Sequence, residues 1–272
     1  MKFAALGLIA AIALTFSSCL GSSDSANQIV GTATITNEFS NTVTFDDGIK
    51  ANITNLTSGA LMNSDFKRMQ LVLTVTDEAY KKGTIPAGTT VNTTYSYINP
   101  LYSMQQTDSA TMKTVVATDF DNFTWASANG VPYAYGNGYM NFVFTATVIT
   151  KTASGKTTLV LPRIYAAPQY NEQGNNVEVF IGFDNRAKEA DANNDGKMDD
   201  GYNSTTSAMY CTLDIQSLYY DLTAKGFKDT DNINFVFYKM YPEKTGEQSS
   251  VRSESVTVPQ STVQLGALKK LY

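Results

Sequence analysis

The feature that most constrains the fold of this chain is a period of two in hydrophobicity, repeated along most of its length and interrupted by turn-forming residues. Residues 29–36 and 42–45 alternate in this way, and Asp46-Asp47-Gly48 separates the second run from residues 49–53. Successive side chains of a strand point to opposite faces, so the alternation predicts half-buried β-strands. Asp-Gly between two such runs predicts a hairpin.

Two longer alternating runs follow at residues 66–76 and 89–98, with Gly83 and Pro86-Ala87-Gly88 between them. The chain therefore has about five predicted strands before residue 105. A small five-stranded barrel of the OB type is an economical arrangement for such a set, because closure removes exposed strand edges. We assign residues 28–115 to this N-terminal domain.

The remaining residues, 116–272, predict a C-terminal antiparallel β-sandwich. Turn signals separate the strands at spacings typical of sandwiches, and Ala153-Ser154-Gly155-Lys156 predicts a hairpin turn. Residues 216–225 predict one short helical turn. The predicted strands are residues 140–150, 157–164, 177–183, 208–215, 233–241 and 253–258. The fold class is all-β, with a small OB-like barrel followed by a sandwich.

The N-terminus has the pattern of a lipoprotein signal peptide. Lys2 precedes an apolar stretch, residues 3–16, that is too short to span a bilayer core of about 30 Å. Small residues at Ser17 and Ser18 then precede Cys19, as in a bacterial lipobox. We predict a signal peptide at 1–18, lipidation of Cys19 and a flexible tether at 19–27. An ordinary secretory signal with an incidental cysteine, or a short N-terminal anchor, remains the alternative.

Composition excludes several functions. The net charge is −5 and no Lys/Arg cluster occurs, which argues against nucleic acid as a partner. The chain contains no histidine, so most Ser, Cys and zinc hydrolase mechanisms lack their usual base or ligand. Carboxylate-only glycosidases, lysine-based mechanisms and oxygen-ligated calcium sites remain. Cys211 lies in an apolar alternation and is predicted to be a buried structural thiol.

One local motif predicts a metal site. Asp191, Asn193, Asp195 and Asp199, with the backbone carbonyl of Lys197, place oxygens as in an EF-hand-like loop around a glycine. Position 12 is a tyrosine where a bidentate glutamate is usual, and no flanking helices are evident. The alternative is an acidic sandwich loop without a tightly bound ion. No cofactor is required by the sequence, and calcium is the one candidate ion.

Two groups of side chains predict ligand binding or catalysis. Trp125, Tyr133, Tyr135 and Tyr139 lie in a Gly-rich context and could present flat rings to a sugar or a protein, although aromatic residues are also ordinary core residues. The carboxylates that could form a glycosidase pair are Glu172, Glu178, Asp184 and Glu189. Sequence alone does not place two of these carboxylates across a cleft.

The chain resembles the NigD-like lipoproteins of the Bacteroidetes. The resemblance rests on Cys19, the turn at 45–48, the strand 66–73, the block 179–185 and two longer segments. Those segments are Tyr210-Cys211-Thr212-Leu213-Asp214-Ile215-Gln216-Ser217-Leu218 and Ile233-Asn234-Phe235-Val236-Phe237-Tyr238-Lys239-Met240-Tyr241. It implies an N-terminal OB-like domain and a C-terminal sandwich behind a lipidated cysteine, in a family without a settled activity.

These observations predict a non-catalytic binding or scaffolding module that Cys19 anchors to the outer membrane, on a face that the sequence leaves open. Its partner would be a protein or a glycan of the envelope. One alternative is a carbohydrate-binding surface lipoprotein of a glycan-uptake system. The other is a carboxylate-based glycoside hydrolase.

Overall fold

The computed structural model describes residues 27–62, 66–108, 111–112, 120–125, 134–193, 195–245, 248–255 and 261–270. The chain divides into two compact units on either side of the Leu101–Tyr102 bond. The sequence analysis places the domain boundary after residue 115. Residues 102–108 lie with the second unit because Gln105 and Gln106 pair with a strand of that unit. The signal peptide and Cys19 lie outside the described residues.

The first unit is a closed five-stranded barrel. Each strand pairs with two neighbours in the order β1-β2-β3-β5-β4-β1, and only the β3–β5 pair is parallel. The predicted OB-like barrel is therefore confirmed. Its strands are β1 (Gln28–Asn37), β2 (Thr42–Phe45), β3 (Lys50–Ile53), β4 (Arg68–Val75) and β5 (Thr90–Ser103), with a 3-10 turn at Glu78–Tyr80.

Alternation produces the barrel core as predicted. Along β4, Met69, Leu71, Leu73 and Val75 are all buried, whereas the residues between them are partly exposed. The β2–β3 hairpin turns at Gly48, whose φ of 89° lies in the left-handed region that glycine adopts without strain. The turn-forming residues and the alternation of hydrophobic residues therefore both predict the strands that the structure shows.

The barrel contains one buried ion pair. Arg68, at the start of β4, is 1% exposed, and its guanidinium donates two hydrogen bonds of 2.9 and 2.8 Å to the two carboxylate oxygens of Asp46. The same guanidinium donates to the Thr34 hydroxyl at 2.8 Å. Burial raises the pKa of the Asp46 carboxyl, and Arg68 opposes that rise. This bidentate pair joins the β2–β3 turn to β4.

The second unit contains two further sheets. Its strands are β6 (Gln105–Gln106), β7 (Phe123–Trp125), β8 (Ala134–Gly136), β9 (Tyr139–Ala153), β10 (Lys156–Leu159), β11 (Arg163–Asn171), β12 (Asn176–Asp184), β13 (Tyr202–Asp214), β14 (Asn232–Thr245), β15 (Gln248–Ser255) and β16 (Ser261–Gln264). A helix, α1 (Gln216–Ala224), and 3-10 turns at Ala187–Ala190 and Leu265–Leu268 accompany them. The predicted helical turn is therefore a helix of nine residues.

The two sheets of the second unit pack face to face, as predicted for a sandwich. β9 pairs with β7, β8, β10 and β13 in one sheet, and β6, β11, β12, β14, β15 and β16 form the other. Aromatic rings join the layers: Phe142 contacts Phe237 at 5.6 Å between centroids, and Phe144 contacts Phe183 at 5.5 Å. The β12–β14 pair is parallel, as are the short β6–β11 and β5–β13 pairs, within a mainly antiparallel unit.

One predicted strand divides in two. Residues 157–164 were expected to form a single strand, but β10 ends at Leu159 and β11 begins at Arg163 in the other sheet. Pro162 lies between them and lacks the N–H that a continuous ladder would require. β13 also begins at Tyr202, earlier than expected, because its polar first half pairs with β9.

Replacing Asp46 by Asn should destabilise the chain by about 3 kcal/mol, because the buried Arg68 guanidinium would lose its counter-charge. Urea unfolding of the full chain measures this change. Asp47→Asn is the matched control, since an amide oxygen preserves the 3.1 Å hydrogen bond that Asp47 accepts from the Ile49 N–H. Equal stabilities of the two variants would contradict a structural role for the pair.

Candidate functional site

The second unit has a surface groove between β11 and α1, which we call the β11–α1 groove. Its volume is about 460 Å³, and it is lined by Pro168, Gln169, Tyr170, Leu218, Asp221, Ala224 and Lys225. Ligand sites in proteins commonly have volumes of roughly 300–1,000 Å³. The groove combines apolar walls, one aromatic ring, an amide, a carboxylate and an amine.

Strand β11 forms one wall of the groove and helix α1 forms the other. β6 pairs only with Tyr165 and Ala166, so Pro168 and Tyr170 lie beyond that pairing in the described structure. Proline is tolerated at an open strand edge, where no ladder hydrogen bond is lost. Across the groove, α1 buries Leu218 and Leu222 against the sandwich core. The Asp214 carboxylate accepts the Gln216 N–H at 2.9 Å and satisfies one donor of the first helical turn.

Tyr170 and Lys225 form the polar centre of the groove. The Lys225 amine lies 5.7 Å from the centroid of the Tyr170 ring and 2.9 Å from the Glu172 carboxylate. The hydrogen bond from Lys225 to Glu172 raises the pKa of the amine, so Lys225 is a cation. The Tyr170 ring packs edge-on against Phe227, and its hydroxyl donates to the Asn175 side-chain oxygen at 2.8 Å. The ring is therefore held in place without a ligand.

Sequence reasoning did not identify this groove. Tyr170 and Lys225 are far apart in the sequence, and only tertiary packing brings them together. The one local signal was Pro168 within an otherwise strand-like run, which is typical of an edge strand.

The predicted aromatic residues do not form one surface. Trp125 lies opposite Phe144 across β7 and β9, and its ring contacts Phe123 edge-on at 5.1 Å. Tyr135 lies opposite the fully buried Met140 and packs against the sandwich core. Tyr139 lies opposite Gly136, one residue further along, and therefore on the other face of the sheet. Tyr133 lies outside the described residues.

The predicted calcium loop is stabilised by its own backbone. Asp191 accepts the N–H groups of Asp195 and Gly196 at 3.1 and 2.9 Å. Asn193 accepts the Asp195 N–H at 3.1 Å, and Asp195 accepts the Lys197 N–H at 2.9 Å. Asp199 accepts the Ala192 N–H at 3.2 Å, which closes the loop from its far end.

Within the described part of the chain, no group of three or more Asp, Glu or Cys side chains lies close enough to hold a metal ion. Calcium binding by Asp191, Asn193, Asp195, Lys197 and Asp199 therefore stays a prediction.

The carboxylates proposed as glycosidase candidates have other partners. Glu172 pairs with Lys225, and Glu178 accepts hydrogen bonds from the Gln169 and Asn171 amides at 3.2 and 2.9 Å. Asp184 and Glu189 both face Arg163, at 3.5 and 2.9 Å. Hydrogen bonding to Arg186 lowers the pKa of Glu189. A general acid needs a raised pKa, so these contacts favour structural roles.

The described cysteine is not a reactive group. Cys211 is fully buried in the sandwich core, and burial raises the pKa of its thiol well above the ordinary value. A protonated thiol in an apolar environment is a poor nucleophile. Cys19, the predicted lipidation site, lies outside the described residues.

No helix among the described residues is long and apolar enough to cross a membrane. No family model matches the chain, and no curated protein matches its sequence.

Several solved structures are similar to the chain. One is a NigD-like immunity protein from Bacteroides caccae, 14% identical, with a TM-score of 0.41 over 88% of this chain and 100% of that one. Another, a candidate lipoprotein from Bacteroides fragilis, is 11% identical, with a TM-score of 0.48 over 84% and 96%. A protein of unknown function from Bacteroides vulgatus is 12% identical, with a TM-score of 0.41 over 89% and 100%. A NigD-like protein, the family that the sequence analysis names, is among these similar structures.

If calcium binds the 191–199 loop, millimolar Ca²⁺ should raise the melting temperature of the protein by a few degrees. An ion at about ten times its Kd stabilises by about 1.4 kcal/mol, and each kcal/mol shifts a domain of this size by roughly 2–4 °C. Asp191→Ala and Asp195→Ala should abolish the shift, and Asp221→Ala, outside the loop, should retain it. The absence of a shift in the parent protein would remove the calcium prediction.

Proposed function

We propose that the chain is a non-catalytic binding protein held at the outer membrane by lipid on Cys19, and that its ligand occupies the β11–α1 groove. The observation that carries this proposal is the groove itself. Its volume of about 460 Å³ suits a small ligand or one unit of a larger one. Its lining includes the Tyr170 ring, with the Lys225 amine over that ring, and the Asp221 carboxylate.

The chemistry of the described residues supports binding over catalysis. The chain contains no histidine, and two carboxylates beside the groove have partners: Glu172 pairs with Lys225, and Glu178 accepts from the Gln169 amide. Burial raises the pKa of Asp46 in the barrel, but that carboxylate is bound by Arg68 and does not line the groove. Asp221 and Lys225 do line the groove, and the hydrogen bond to Glu172 raises the pKa of the Lys225 amine and keeps it a cation, which favours holding a ligand over transferring a proton.

The lipid anchor rests on the sequence pattern before and at Cys19. A lipid on this residue would hold the chain at the membrane through a tether of about eight residues. The described residues contain no membrane-spanning helix that would duplicate this role.

The groove also favours a particular ligand class. Sugars present an apolar face of C–H groups and a rim of hydroxyls, and aromatic rings with nearby carboxylates and amides match both features. Tyr170 supplies the ring, and Asp221 and Lys225 supply the polar groups. A carbohydrate-binding protein of a glycan-uptake system is therefore the more specific candidate function.

Lipidation predicts that labelled palmitate enters the full-length protein in growing cells. Cys19→Ala should lose the label, because its thiol is the acylated atom. Cys211→Ser is the matched control and should keep the label, since that thiol is buried. Label retained in Cys19→Ala would contradict the anchor.

Carbohydrate binding predicts that at least one sugar in a panel of neutral and acidic oligosaccharides binds the full-length protein in calorimetry. Tyr170→Ala should weaken that affinity by about tenfold or more, because truncating a central aromatic contact costs roughly 1–2 kcal/mol. Tyr170→Phe should bind nearly as well, since the ring remains.

The control is Tyr220→Ala, which removes an exposed tyrosine of α1 that does not line the groove. A similar loss in the control and in Tyr170→Ala would contradict binding in the groove. Cleaved sugar recovered after incubation with the protein would contradict a non-catalytic role.

A further inference from the structure

The outer wall of the barrel carries an apolar row that crosses three strands. Val30 of β1 lies opposite Val72 of β4, and Val72 lies opposite Tyr97 of β5. The adjacent positions on β4, Leu71 and Leu73, are buried in the barrel core, so alternation directs Val72 and its two partners outward. Val30 is 38% exposed, Tyr97 is 50% exposed, and Val72 is partly buried. We call Val30, Val72 and Tyr97 the barrel row.

The barrel row lies in a wall without charge. Residues with amide or hydroxyl side chains flank it on both sides, as the rows Gln28-Thr74-Thr94 and Thr32-Gln70-Asn99. None of the residues in these rows is charged. On the opposite side of the barrel, the outer face of β3 carries Lys50 and Asn52 instead. An uncharged wall can contact a less polar surface without the cost of removing water from an ion.

The N-terminal chain enters the barrel beside this row. Asn27 lies just before β1 and three residues before Val30. Its N–H donates to the Lys81 carbonyl at 3.0 Å, and its side-chain amide donates to the Tyr80 and Gly83 carbonyls at 2.7 and 2.8 Å. These hydrogen bonds fix the point at which the chain leaves the barrel towards its N-terminus.

The distance from this point to the lipid is bounded by covalent geometry. Asn27 comes eight residues after Cys19, and eight fully extended residues span at most about 28 Å. A contact made by three apolar side chains would be weak for a protein free in solution. A lipid on Cys19 makes the contact intramolecular, because the wall is held at a high effective concentration beside the bilayer.

The side chains of the row also suit a membrane surface. A tyrosine has an apolar ring and a polar hydroxyl, and such side chains are enriched where a bilayer meets water. Phe39 and Met62 are also exposed on the barrel, but they lie on loops beyond the far end of β1. That end is roughly 30 Å from Asn27 along the strand, so the barrel row is nearer to the lipid.

We propose that the barrel row contacts the headgroup region of the bilayer that holds Cys19. The protein then has a second membrane contact, and the β1-β4-β5 wall of the barrel is the face turned to the lipid. This proposal rests on the lipid anchor of the proposed function. It does not depend on a ligand in the β11–α1 groove.

Quenching by lipid tests which wall faces the bilayer. Full-length acylated protein, purified from cells grown with labelled palmitate, would be placed in vesicles of phosphatidylethanolamine and phosphatidylglycerol that contain nitroxide-labelled lipid. Thr74→Cys carries an environment-sensitive fluorophore in the wall, and Lys50→Cys carries it on β3 as the matched control. Cys211 is buried and takes no fluorophore. The fluorophore at position 74 should be quenched strongly and the one at position 50 weakly. High salt should not change this difference, because the wall has no charge to screen.

The palmitate label separates the two ways in which this experiment can fail. Equal quenching at the two positions would overturn the proposal, because the barrel would have no preferred face. No quenching at position 74 would also overturn it and would leave the row to a protein or glycan. Both results keep the anchor, since the sample carries the label. Protein purified without the label would overturn the anchor and the proposal together.

A charge in the row tests its contribution directly. Val30→Asp, added to the labelled Thr74→Cys protein, places a carboxylate at the lipid contact. It should shift the equilibrium away from the quenched state by about tenfold or more, because apolar burial is lost and a charge resists desolvation. Asn52→Asp adds the same charge on β3 and should leave quenching unchanged. Unfolding in urea checks that both variants are folded. Unchanged quenching in Val30→Asp, or an equal loss in both variants, would contradict the proposal.

Discussion

The fold of the second unit depends on its central strand β12, which packs side chains on both of its faces. Val177, Val179, Ile181 and Phe183 all face the sandwich core. The intervening residues face the other way, where Phe180 stacks on Tyr238 at 4.7 Å. A shift of one residue would exchange the two sets and bury polar side chains in the core. This constraint fixes the register of β11 and β14 on either side of β12.

The same register decides which side chains remain available for binding. Neighbouring positions of β11 carry Gln169, which donates to Glu178 on the outer face, and Tyr170, which packs beside the core next to α1. Trp125 and Tyr135 are drawn into the core by the equivalent register of β7 and β8 on β9. The β11–α1 groove is one place where an aromatic ring and charged groups meet at the surface of this unit.

The sequence predicts the strands well wherever alternation and turn chemistry agree. β2, for example, was expected at residues 42–45 and occupies Thr42–Phe45, because Asp46-Asp47-Gly48 ends it sharply. The direction of pairing was less predictable. β12 and β14 are parallel, and alternation has the same period in parallel and antiparallel sheets. The groove could not be predicted, because Tyr170 and Lys225 meet only after β11 and α1 have packed on the same core.

The measurement that tests the account most directly asks whether the β11–α1 groove is occupied in the cell envelope. A photoreactive phenylalanine analogue would replace Tyr170 in the full-length protein, and Tyr220 on α1 in a matched control. After irradiation of intact cells, the account predicts an adduct of defined mass at position 170 and none at 220. Equal labelling of both positions, or no adduct at 170, would contradict the central claim that the groove is a ligand-binding site.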